Sequence, residues 1–165
     1  MALIDGMLQE LEQEAITTRR VLERVPDHQL AWRPHAKART LGELALHVAT
    51  VPGTVATIAV ESQIQPPNFA DPSPASAAEL VPALDASIAK ARSLLGDMDD
   101  AALHATWRLM QGDREILAMP RVAVLRSIMM NHWYHHRGQL SVYLRQLDVA
   151  VPSIYGPSAD ENPFA

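Results

Sequence analysis

Seven histidines and no cysteine bound the chemistry open to this chain of 165 residues. The histidines are His28, His35, His47, His104, His132, His135 and His136. Without cysteine there is no disulfide framework, no thiolate-held zinc or iron–sulfur cluster, and no cysteine nucleophile. If a metal or a base is needed, imidazole must supply much of it. The segment Asn131-His-Trp-Tyr-His-His-Arg-Gly-Gln139 is the most informative. On an α-helix His132 and His136 are four residues apart, about 40° of rotation and about 6 Å of rise, so one sits above the other. Measured from His132, Val122, Leu125, Met129, Leu140, Tyr143 and Leu147 all fall within roughly 20° to 80°. His136, at about 40°, lies in the middle of that apolar stripe, and His135 lies about 60° to the other side. The helix therefore points two imidazoles inward. Burying them unpaired is costly, and a shared cation would resolve the cost.

A firm catalytic site needs a third ligand. His47 lies at the edge of the apolar stripe of an upstream helix, beside Leu44, Val48 and Val51. Two histidines from one helix and one from another make a three-imidazole face with positions left open for water and substrate. Such a set suits zinc, nickel or iron. Bland readings stand beside this one. A His-x3-His pair on a helix arises by chance, a lone His47 fits an ordinary half-buried histidine, and the three can pack together with no cavity. His28 and His35 belong to a polar connection and His104 to the surface or a loop. Trp32, Trp107 and Trp133 read as core or interface anchors. Arg137 reads as solvated or salt-bridged in preference to holding an anionic substrate. Gly138 inside a helix costs about 1 kcal/mol against Ala, which points to close packing, against the tail.

The elements that must position these residues are helices. The first spans about 2–25, with Leu3, Met7, Leu8, Leu11, Ala15, Leu22 and Val25 at helical spacing. Its acids come early and Arg19, Arg20 and Arg24 late, as the helix dipole prefers. The second starts after Thr40 with Glu43 as capping-box partner, and Pro52 should kink it or sit at a local irregularity. A loop follows over 63–75. The third helix begins near Ser76, with Glu79 as a second capping candidate, and continues to about Met98. Residues 106–118 read as a small hairpin turning at Gly112 or, equally, as a plain loop. The last helix runs from Pro120 to about Leu147, with four Arg and no acid. The tail, 148–165, carries three prolines and no helical period. Long Ala/Leu-rich stretches separated by proline-marked connections predict an all-α, single-domain four-helix bundle over 1–165.

A formal net charge of −5, from 14 basic and 19 acidic side chains, gives no general reason to bind nucleic acid or an anionic membrane. Met1 to Glu14 carries acids and no basic run, so no signal peptide is expected. No apolar run is expected to reach the roughly 20 residues of a spanning helix, which makes the cytoplasm the default location.

Three segments together resemble the DinB/YfiT-like superfamily of metal-dependent enzymes. They are Trp32-Arg-Pro34 with Arg39-Thr-Leu-Gly-Glu-Leu-Ala-Leu-His47, then Asn131-His132 through His136-Arg-Gly-Gln139 with Leu140 and Tyr143-Leu144, and finally Val151-Pro-Ser-Ile-Tyr-Gly-Pro-Ser-Ala-Asp-Glu161. The resemblance implies an up-down-down-up four-helix bundle, a homodimer, and His47, His132 and His136 as ligands of a divalent ion such as zinc or nickel, with iron or manganese as further candidates. It also implies thiol-S-transferases that use low-molecular-weight thiols, isomerases or hydrolases. The leading reading is an enzyme whose metal activates a small thiol or water. Glu43, one turn before His47, is a candidate base or supporting group, and Tyr155 and Asp160 are candidates to close over the pocket. The competing reading is a non-catalytic, stress-related binding or interaction protein with a structural or vestigial metal site.

Overall fold

The computed structural model describes residues 2–68 and 72–164. The first helix, α1, spans Leu3–Leu22. Asp5 lies in its first turn and receives the Ala2 N–H at 2.8 Å, while Arg19 and Arg20 occupy the last turn. Helix α2 spans Leu41–Ala59 and carries the expected capping box. Thr40 Oγ1 accepts from the Glu43 N–H at 3.1 Å, and the Thr40 N–H donates to Glu43 Oε2 at 2.7 Å. A single 3-10 turn, Ala77–Glu79, leads into α3, Leu80–Leu95. Ser76 caps that turn through the Ala78 N–H at 3.2 Å. Helix α4 is short, Asp100–His104, with Asp99 as its cap.

The long final helix, α5, is not uniform. It begins as Arg121–Val124, widens into a π-helical segment over Leu125–Asn131, and resumes as α-helix over His132–Gln146. The wide turns reset the phase of the buried face. Val124 and Met129 are buried, as are Leu125 and Met130, and each pair is five residues apart. Val122, which a uniform α-helix places on the inward stripe, is only half-buried.

The fold is mostly helical but not purely α. Strands β2, Thr106–Gln111, and β3, Arg114–Pro120, form an antiparallel hairpin, and its turn holds Gly112 at φ 59°. That backbone angle costs a residue without Cβ nothing. A two-residue strand, β1, Gln63–Ile64, pairs parallel with β2 and gives the sheet order β1-β2-β3. These two residues open the stretch read from sequence as a loop, of which 69–71 lie outside the described residues. The Gln65 side-chain amide ties both backbone groups of Gly112, donating to its carbonyl at 3.3 Å and accepting from its N–H at 3.0 Å. No helical period predicts such a long-range tie.

Helix α2 is the centre of the core. It packs on α3 and α5, and α1 packs on α3 and α5. Two sequence expectations change here. By length and composition α2 is apolar enough to cross a membrane, yet 61% of its apolar window is buried inside the protein, as in the core helix of a globular fold. Gly138 is not a close-packing site, since it is exposed and an added Cβ would meet open space.

Candidate metal centre

His47 projects from α2, and His132 and His136 from the α-helical part of α5 that follows the π segment. Among the described residues these three form a group whose ligand atoms all lie within 4.8 Å of one another, and the group contains no carboxylate. His47 Nε2 and His132 Nε2 are 3.0 Å apart. Ring centroids are separated by 5.2 Å for His47–His132, 4.5 Å for His47–His136 and 4.3 Å for His132–His136.

The donor set fits a cation. Two nitrogens each about 2.0–2.1 Å from one ion are roughly 3.0–3.4 Å apart at right-angled or tetrahedral positions. The protonation state also favours binding, because a metal ligand must be a neutral imidazole. Burial holds His136 down to about 4, reinforced by nearby His132, Arg39 and His135 against a hydrogen bond to Gln139 that pulls the other way. Burial also lowers His132, with Arg39 and His135 adding to the effect. The His136 Nδ1–H donates to Gln139 Oε1 at 2.8 Å, which leaves the Nε2 lone pair to face an ion. Gln139 is three residues on along the same helix. That spacing marks it as a partner in the sequence, although no role was read for it there.

The other histidines have ordinary places. His135 and His28 are exposed. His35 Nδ1 accepts from the Lys37 N–H at 3.1 Å, and His104 Nδ1 lies 2.7 Å from the Asp100 carbonyl. The three further candidates have structural partners. Glu43 completes the cap of α2. Tyr155, although 71% exposed, donates to Glu14 Oε2 at 3.0 Å and accepts from Arg137 at 2.5 Å. Asp160 pairs with Arg145 and accepts from the Val151 N–H at 2.9 Å. Tyr155 and Asp160 therefore hold the tail onto α1 and α5.

The fold recurs in known proteins. The DinB family model matches residues 2–163. The chain belongs to the DinB family. It is 30% identical over 159 residues to the uncharacterized protein YrdA of Bacillus subtilis strain 168, covering 96% of this chain and 91% of that one. A DinB-like protein of Bacillus cereus ATCC 10987, known from a crystal structure, superposes with a TM-score of 0.70 at 27% identity, covering 92% of this chain and 97% of that one. A second DinB-like crystal structure, YjoA of Bacillus subtilis, gives a TM-score of 0.68 at 17% identity over 90% of this chain and 96% of its own, which is a likeness of fold. The chain is thus a mostly helical DinB-family protein with a three-histidine group that could hold a metal ion.

Proposed function

We propose that this DinB-family protein is a metal-dependent enzyme whose divalent ion is held by His47, His132 and His136. The observation that carries the reading is the convergence of three imidazoles from two helices within 4.8 Å, with no carboxylate in the group. A bound divalent ion supplies Lewis acidity, which lowers the pKa of a small thiol or of water so that the nucleophile is available at neutral pH. The chain's own residues do the rest. Gln139 orients His136, and burial favours the neutral form of His132 and His136. Three protein ligands leave positions open for substrate. With no cysteine in the chain, a transferred thiol must arrive as a low-molecular-weight substrate. An all-imidazole set favours zinc or nickel over harder ions. The reading extends to an up-down-down-up four-helix bundle, supported by the packing of α1 and α2 each against α3 and α5, and to a cytoplasmic homodimer.

Metal analysis after purification without chelators tests the proposal. Wild type is expected to carry a stoichiometric divalent ion, and His47→Ala and His136→Ala to lose it. A wild-type protein free of divalent metal overturns the reading. For the reaction, loss of a small thiol against a generic electrophile should depend on the metal. A panel of thiols with no metal-dependent turnover removes the transferase and leaves hydrolysis or binding.

A further inference from the structure

A proline inside a helix removes one hydrogen-bond donor, so the carbonyl four residues earlier loses its partner. In α2 the proline is Pro52, and the carbonyl is that of Val48, the neighbour of His47. That carbonyl is not left bare. Trp133, the neighbour of His132 on α5, donates to it from its indole Nε1 at 2.8 Å. Both Val48 and Trp133 are fully buried. The bond Val48–Trp133 and the contact His47–His132 lie one residue further along each helix, so the indole bond fixes the two helices at the level where the imidazoles meet. The opposite side of the same turn is served by α3. Ser87 Oγ accepts from the Gly53 N–H at 2.8 Å and donates to the Thr50 carbonyl at 3.1 Å.

From this we infer that Pro52 and Trp133 act as a pair of positioning residues: the proline opens a carbonyl on α2, and the tryptophan uses it to set His47 against His132. The inference rests on the metal reading above for its purpose, but its geometry stands in the protein without an ion. A buried indole N–H takes an acceptor wherever it lies, as Trp107 does at the Ile58 carbonyl of α2; Trp133 takes its acceptor on the turn that carries His47.

Two variants of the full chain test it, with Co2+ as the probe. Trp133→Phe keeps an aromatic ring and removes the N–H. Pro52→Ala returns a backbone N–H to compete for the Val48 carbonyl, at the loss of two ring carbons from a buried position. Affinity is read by chelator competition, geometry by the ligand-field spectrum, and fold by the Tm of the metal-free protein. Both variants are expected to weaken Co2+ binding by about 10-fold or more, the usual effect of removing a supporting partner of a ligand, and to alter the spectrum. Pro52→Ala is expected to do so with an unchanged or raised Tm, since alanine completes the helix ladder. A purely structural contact would move the Tm and leave the spectrum alone. Variants that bind Co2+ with wild-type affinity and spectrum overturn the inference. If wild type itself binds no Co2+, the metal reading fails, and imidazole NMR of the metal-free protein decides the positioning. Displaced His47 and His132 ring signals in both variants support it, and unchanged signals overturn it.

Discussion

Arg137 carries a full charge at a position only 1% exposed, and its neighbours explain why it is tolerated. Its guanidinium pairs with Glu14 at 2.6 Å, donates to Thr18 Oγ1 at 3.0 Å and to the Glu14 carbonyl at 3.2 Å, and reaches the Tyr155 hydroxyl. It also lies over the rings of Tyr134 and Tyr155, at 5.3 and 5.1 Å from their centroids. The sequence reading of a salt-bridged arginine is right in kind, and burial makes it a tie between α1, α5 and the tail. Removing one member of such a pair leaves the other charge without its partner. Arg137→Met is expected to cost about 3 kcal/mol in urea unfolding, and the double variant with Glu14→Gln to recover part of it. If the single variant is neutral, the pair contributes nothing to the fold.

At the scale of elements, the end of α2 was legible and its middle was not. Thr40 and Glu43 are three residues apart, so their mutual capping follows from local geometry alone. Pro52 was read as a kink or a local irregularity, with no partner named for the Val48 carbonyl it frees. The actual partner of that carbonyl, Trp133, comes from α5, while Ser87 of α3 serves the neighbouring Gly53 N–H and Thr50 carbonyl. Gly53 shows the same limit. By helix propensity alone Gly53→Ala should stabilise by about 1 kcal/mol. In the structure an added Cβ would stand 2.9 Å from the Ser87 carbonyl oxygen and 3.0 Å from its Cα, so the α2–α3 contact must shift. Gly53→Ala is therefore expected to lower the Tm, and a raised Tm would show that α3 gives way at no cost. The π segment was also hidden, because its signature is a buried spacing of five that only packing reveals.

At the scale of the whole molecule, the tail is fastened by carboxylates. Asp160 pairs with Arg145, and Glu161 pairs with Arg20 while accepting from the Ser153 N–H at 2.6 Å. The Arg145 hydrogen bond, aided by the Val151 N–H, holds Asp160 below its ordinary value. The Ser153 N–H, with Arg20 and Arg24, does the same for Glu161. A carboxylate depressed on folding contributes fully above its unfolded value, about 4, and the contribution is lost as pH falls through the folded value. The tail is thus expected to stay fastened at neutral pH and to loosen only below about pH 4. Limited proteolysis with an acid-active protease checks this, with Asp160→Asn and Glu161→Gln loosening the tail already at pH 7. A tail equally protected in the double variant would show that Tyr155 and Val151 hold it without the charges.

The sequence by itself determined the four long helices, the cap of α2 and the stacking of His132 and His136 on one side of α5, because each depends on residues within a turn or two of one another. It also determined the family, through motifs spread from Trp32 to Glu161. Tertiary structure decided the rest. It brought His47 to 3.0 Å from His132 and joined β1 to the hairpin. It gave Tyr155 and Asp160 to the tail's fastening, and it turned a proline and a tryptophan 81 positions apart into one contact through Val48. The physical reason is common to all four. Each depends on which freed carbonyl, lone pair or charge meets which distant donor, and chain periodicity carries no record of such pairings.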